Sequence, residues 1–419
     1  MTTYAPPERT RLHLGFIALA DSAPLVVAER DGLFAEEGLD VTLARRASWA
    51  AIRDDVVIGR LDGAAMLAGL PLAATLGLGS TPMPMTTSLA LGANGNAICV
   101  GDALWQRMRA EGAGETNGPA DASSLARVIA EDRAAGLAPL TFAMVHPVSS
   151  HHYQLRYWLE AAGIDPDRDV RLIVVPPARM LANLRAERIA GFCVGAPWSE
   201  LAVAEGIGHI PMTGYELWNN APEKVFGVAA DWAEAYPNTH RAVLRALLRA
   251  CHRLDADQGR SDLAPLMADP AVVDCPTEVL ADVYAGRLQR HPGGPVEAAP
   301  DHLVFARRHV NFPWRSHGLW FARRMQRSAQ LHAASDVVAA VDAVYRPDRY
   351  RRVCDDLGLV APARDHKTEG THAGPWQAAD MGPGITLGAD RFFDGGVFDP
   401  TAGPSVCSSR SESSEGVRP

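Results

Sequence analysis

Short apolar runs alternate with helical patterns from residue 13 onward, and this rhythm restricts the fold more than any other feature of the chain. The run 13–19 (HLGFIAL) reads as a buried strand. Asp21 or Ser22 can cap a following helix that has Pro24 in its first turn and ends near Gly32. A strand over 39–43, a helix over 49–60 capped by Ser48, a strand over 63–67, a helix near 70–77 and a strand over 97–100 continue the series. The order β-α-β-α-β predicts an α/β fold, a mostly parallel sheet with helices on both faces.

Residues 101–137 interrupt the rhythm. The stretch 112–121 (GAGETNGPAD) has a flexible composition, and a polar helix is expected around 122–135. Alternation then resumes: strands at 140–145, 170–175 and 190–194, with helices at 150–163, 177–187 and 197–205. From about 238 the pattern is mainly helical, with helices at 238–256, 276–287 and 316–333. At 419 residues the chain exceeds one ordinary core. The expected organisation is a flexible N-terminus (1–11), a discontinuous first lobe (12–137 and 238–362), a second lobe (138–237) and a tail (363–419). The tail is rich in Gly, Pro and Ser and is expected to be partly disordered. Two lobes imply a cleft, a favoured place for a small ligand.

A net charge of -9 disfavours a nucleic-acid partner, because phosphate contacts need a basic face. Residues 1–10 show no export signal, and no run approaches the ~18 apolar residues of a spanning helix. Six scattered cysteines without a CxxC pair suit reduced thiols. A cytoplasmic protein without a membrane partner is expected.

Four residues stand out. Of the 40 Lys and Arg residues only two are lysines, Lys224 and Lys367. Lys224 lies in a loop leading into an apolar run (NNAPEKVFG); its retention in so arginine-rich a chain suggests that a compact point charge is wanted there, although a solvated surface lysine is the plain alternative. His151, after Ser149-Ser150 at a helix start, could add a donor to the anion site formed by free backbone N–H groups, or simply cap and pack. Trp49, after Ser48, could line a cleft with one N–H donor, or sit in the core. Asn96 closes an Asn94-Gly95-Asn96 turn whose amides could reach a ligand, though turn chemistry alone explains it. No metal-ligand spacing, phosphate loop or nucleophile motif accompanies them.

The strings GFIALADSAPLVVAERDGLFAEEGLDVTL, ASWAAIRD, NGNAICV, RYWLEAAGIDPDRDVRLIVVPPARMLANL, GFCVGAPW, PEKVFGV and NFPWRSHGLWF resemble, in order over about 12–358, the nitrate- and bicarbonate-binding proteins of ABC transporters. That resemblance implies a type II periplasmic-binding-protein-like fold with ligand held between lobes, and oxyanion contacts at Trp49, Asn96, His151 and Lys224. Asn96 stands where the family often has Gln. Bicarbonate binders carry an acidic residue used with a metal at the position of Lys224, so nitrate or nitrite is implied here, with no metal and no cofactor. Ala18, Ala20, Ala65, Gly69-Leu70 and Ala196 depart from the family's usual residues.

Without an export signal, and with the closing FFDGGVFDP (392–400), the chain further resembles cytosolic nitrate/nitrite sensors of the NasS type. Such sensors hold an RNA-binding antitermination partner of the NasT type and release it when ligand binds. Two alternatives stand beside this reading. One is the substrate-binding component of a nitrate ABC transporter. The other is an enzyme like the thiamin-pyrimidine synthases, whose cysteine-rich motif this chain lacks.

Overall fold

The computed structural model describes residues 4–114, 118–256 and 259–402. The first sheet contains β1 (Arg11–Ile17), β2 (Asp40–Arg46), β3 (Gly63–Leu67) and β4 (Met85–Ala90), with helix α1 (Trp49–Val57) between β2 and β3. Ser48 caps α1 as expected, accepting from the Ala51 amide at 3.2 Å. β3 (GAAML) is buried throughout, and its small residues let a neighbouring strand come close. A Cβ at Gly63 would lie 2.6 Å from the Phe226 ring.

The second sheet contains β5 (Asn96–Gly101), β6 (Thr141–Met144), β7 (Arg171–Val174), β8 (Gly191–Gly195) and β9 (Gly208–Thr213). Helix α2 (Ser150–Ala161) covers it, capped by Ser149, which accepts from the His152 amide at 3.0 Å. The chain then returns as β10 (Lys224–Ala229) to the first sheet, whose order is β2-β1-β3-β10-β4. The second sheet has the order β9-β5-β8-β6-β7. Strands β1, β2 and β3 are parallel, as are β6, β7 and β8, whereas β10 and β5 run antiparallel to their neighbours.

This topology moves the lobe boundaries away from those expected. Residues 97–100 were assigned to the first lobe, but β5 pairs with β8 in the register Asn96↔Gly195 and so belongs to the second. Conversely 224–229, expected in the second lobe, is a central strand of the first. The chain crosses between lobes at 91–95 and 214–223 instead of near 137 and 237. The reason is register: β5 and β10 are interior strands buried against partners distant in sequence, which local periodicity does not reveal.

Helices α3 (Pro237–Asp255), α4 (Arg315–Arg327) and α5 (Pro347–Leu357) build the rest of the first lobe. Two segments expected to be loose make specific contacts where they are described. Residues 4–11 are pinned: Glu8 accepts from the Asn238 and Thr239 amides at 3.0 and 2.8 Å, completing the α3 start. Within the tail, 363–402 forms a packed strap. Its first part docks on α4 and α5, with the Arg315 amide donating to the Asp365 carbonyl at 2.9 Å and Arg351 paired to the Asp365 carboxylate at 2.6 Å. Buried Glu369 accepts from Lys367 and lies 2.9 Å from the His317 ring. The second part lies along the 214–223 crossing and α2. There the Asn219 amide donates to the Arg391 carbonyl at 2.9 Å, and Tyr157 donates to Asp394 at 2.5 Å. Phe392 stacks on Trp218 at 4.9 Å and meets the edge of Tyr157 at 5.7 Å. The expectations for 1–3, for 115–117 inside the flexible stretch and for 403–419 lie outside the described residues.

Among the described residues, five cysteines are free and buried, and no helix is long and apolar enough to cross a membrane.

Candidate ligand-binding site

All four residues singled out from the sequence begin or nearly begin an element at the seam between the lobes. Trp49 opens α1, Asn96 opens β5, His151 is the second residue of α2 and Lys224 opens β10. A tight turn with positive φ at Asn94 (65°) and Gly95 (84°) delivers Asn96 to its place. Each of the four is at most 1% exposed. Lys224, expected in a loop, is a strand residue buried as deeply as the core.

The hub that joins them is Glu223, a residue the sequence reading passed over. Its carboxylate accepts from Lys224 and from the Ser150 hydroxyl, and from Asn96 Nδ2 at 2.8 Å. The His151 Nε2 atom stands 3.3 Å from Glu223 Oε1, outside hydrogen-bond geometry. Lys224 Nζ also lies 2.8 Å from Asp21 Oδ2 and 5.2 Å from the Trp49 ring centroid, within reach of its π face. Asp21, expected with Ser22 as a candidate helix cap, instead faces Lys224, and Ser22 makes no side-chain cap bond. The available signal for Glu223 was adjacency to an unusual lysine.

Electrostatically the site is a buried cation between two carboxylates. Burial opposes the charge of Lys224, but Asp21 and Glu223 outweigh it and hold the ammonium above the usual lysine range. Burial, with Glu223 adding to it and Lys224 opposing, pushes Asp21 above the usual carboxylate range. His151 is driven well below the ordinary imidazole range by burial and by Lys224, and is therefore neutral at pH 7.

Several buried polar atoms here have no hydrogen-bond partner among the described residues: Trp49 Nε1, both ring nitrogens of His151, and Asn96 Oδ1. A buried donor left unsatisfied costs about 1–3 kcal/mol. Asn96 differs from expectation: its Nδ2 is committed to Gln154 (2.9 Å) and Glu223, so what it leaves free is an acceptor. The lobes meet directly beside the cluster, where Trp198 Nε1 donates to the Ala18 carbonyl at 3.0 Å and the Ala20 amide to the Ala196 carbonyl at 2.8 Å. Among the described residues no group of three or more His, Cys, Asp or Glu is arranged to hold a metal ion.

Two α/β lobes, two crossings and a polar cluster sealed between them define a two-lobed binding protein. More narrowly, the chain belongs to the NMT1-like family, matching it over residues 5–268, and within it to the nitrate- and bicarbonate-binding substrate-binding proteins. It is 32% identical to the nitrate/nitrite binding protein NrtA of Synechocystis over 405 residues, covering 94% of this chain and 83% of that protein. The crystal structure of the periplasmic nitrate-binding protein NrtA from Synechocystis superposes with a TM-score of 0.82 at 30% identity, covering 94% of this chain and 97% of that one. The nitrate import ATP-binding protein NrtC of Synechocystis is 38% identical over 363 residues, 86% of this chain. This chain spans only about half (52%) of NrtC's length. Neither lysine here follows a glycine, so the GxxxxGK phosphate loop of ATP-binding proteins is absent from this sequence. The two NrtA relatives, which the chain matches over most of their length, are named as nitrate/nitrite-binding and nitrate-binding proteins.

Proposed function

We propose that the chain binds nitrate or nitrite in the seam between its lobes, without a metal or cofactor. The observation that carries this reading is the set of orphan buried donors beside Lys224. Trp49 Nε1–H and one ring N–H of His151 await acceptors, and nitrate and nitrite are monovalent anions built of acceptors. The names of the relatives, nitrate/nitrite binding protein and nitrate-binding protein, support the same ligand class. Asp21 and Glu223 make bicarbonate the natural competitor, since its hydroxyl could donate to either carboxylate. Calorimetric titration with nitrate, nitrite and bicarbonate tests the reading. Saturable nitrate or nitrite binding is expected, and binding of bicarbonate alone rejects it.

At a finer level, we propose that the protein acts in the cytoplasm as a sensor. In this reading it holds an RNA-binding antitermination protein of the NasT type and releases it when nitrate or nitrite binds. Ligand and partner then favour different arrangements of the lobes, so each weakens the other's affinity by the same factor, ordinarily about 5–150-fold. A second reading, the binding component of a nitrate importer, is favoured by the names of the curated relatives. Size-exclusion chromatography of the mixed proteins with and without nitrate separates the two, together with cell fractionation. A complex that dissolves in nitrate and a cytoplasmic location support the sensor; no complex and an exported protein support the importer.

A further inference from the structure

A second polar cleft, lined by none of the seam residues, lies on the first lobe where α3 packs beside α5. It has a volume of about 340 Å³, within the range of small-ligand sites. Four arginines line it: Arg241 from α3, Arg346 just before α5, and Arg349 and Arg352 from α5 itself. Such density asks for counter-charge, and the protein supplies it unevenly. Arg241 pairs with Asp356 at 2.6 Å, but Asp356 also serves Arg245 at 2.9 Å. Arg346 and Arg352 share one carboxylate, Asp348, at 2.9 and 3.5 Å. Arg349 has neither an ion pair nor a side-chain hydrogen bond among the described residues, and its Nη1 is buried without a partner. The other carboxylate at the cleft is the exposed Glu234.

A second observation converges on the same space. His240, on α3, lines the cleft, is 2% exposed, and has a buried Nε2 with no partner. The Trp232 ring meets it edge-on at 6.1 Å and fixes its plane. Burial, with Arg349 and Arg346 adding to it, pushes His240 down to about 3, so the ring is neutral at pH 7. If helix packing alone explained this cluster, Arg349 Nη1 and His240 Nε2 would each remain buried without a partner, which is costly.

We propose that this cleft is a second anion site, which takes a small organic molecule bearing a phosphate or carboxylate head group. Arg349, Arg346 and Arg352 hold the head, because planar guanidinium forks match both oxyanions bidentately. His240 Nε2 adds a neutral contact at the cleft's inner wall. The volume exceeds that of a bare phosphate, and Leu244 and Val353 offer an apolar wall to the carbon body.

The test is calorimetry of the full chain with glycerol 3-phosphate, succinate and inorganic phosphate as probes. One of the two organic probes is expected to bind saturably and more tightly than inorganic phosphate, and which one does so assigns the head group. Arg349→Gln should weaken that binding at least ~10-fold, and Arg352→Gln, at an exposed position, should weaken it in the same direction. Neither should alter nitrate affinity. Three results overturn the proposal: no saturable binding of either organic probe up to 10 mM, wild-type binding in folded Arg349→Gln, or loss of binding in Lys224→Gln instead, which would place the probe in the seam.

Discussion

Lys224 Nζ pairs with Asp21 Oδ2 at 2.8 Å, so the cation at the start of β10 takes its counterion from the loop after β1, two strands away in the same sheet. Glu223 completes the set. The lysine holds the lobe interior together, and under the proposed function an incoming oxyanion competes with Asp21 for it. Lys224→Met should leave two buried carboxylates without their shared cation and lower stability by about 3–5 kcal/mol. Adding Asp21→Asn should restore much of that loss. Urea denaturation of the single and double variants checks this, and equal stability of Lys224→Met and wild type would remove the ion pair from the fold's energetics.

Nitrate affinity should rise as pH falls. Burial raises Asp21 above its ordinary value, so protonation comes within reach when an added anion weakens its hold on Lys224. A neutral Asp21 frees the ammonium, and binding takes up a proton. Calorimetry in buffers of different ionisation enthalpy measures that uptake directly. Asp21→Asn should bind nitrate more tightly than wild type and with a flat pH profile; a flat profile in wild type rejects the competition.

His151→Ala should weaken nitrate binding by about 1–3 kcal/mol, the value of one buried hydrogen bond. EDTA should leave the affinity unchanged. A strict calcium requirement would instead support a bicarbonate-type site.

The strap should matter for stability as much as the core does. Phe392→Ala opens a cavity between Trp218 and Tyr157 and should cost about 3–5 kcal/mol. Thermal unfolding reads the loss, and an unchanged midpoint would show that 389–398 contributes nothing.

Acid should unfold the protein through its histidines. Burial pushes His152 down to about 4 and His240 to about 3, from an ordinary 6.5. Below pH 6.5 the unfolded chain takes up protons that the folded protein refuses. Each of these two groups then removes about 1.4 kcal/mol per pH unit until its folded value is reached. Replacing either with Gln should flatten the stability curve between pH 6.5 and 4. A curve equally steep in both variants would remove these two histidines from the acid lability.

Much of this was legible in the residues. Ser48 and Ser149 announced the starts of α1 and α2 because capping is local, and Trp49 and His151 follow them directly. The scarcity of lysine pointed to Lys224. Asp21 and Glu223 each have an ordinary local explanation, a cap and a loop acid, and only pairing with residues distant in sequence, Asp21 with Lys224 and Glu223 with Asn96 and Ser150, gives them their role. The lobe crossings were missed for the same reason, since register such as Asn96↔Gly195 is a long-range fact. In the described part of the tail, Phe392 and Phe398 are buried anchors that its Gly- and Pro-rich composition does not announce.

The near absence of lysine has one more consequence. The two side-chain amines in the sequence are both ion-paired, with side chains 1% exposed at Lys224 and 11% at Lys367. Acylating reagents and lysine-specific proteases therefore find almost nothing to attack on the folded molecule. One amine sits in the seam and one in the strap. The extent of acylation at each, read by mass spectrometry over time, would thus report how often the seam opens and the strap lifts, with no engineered probe.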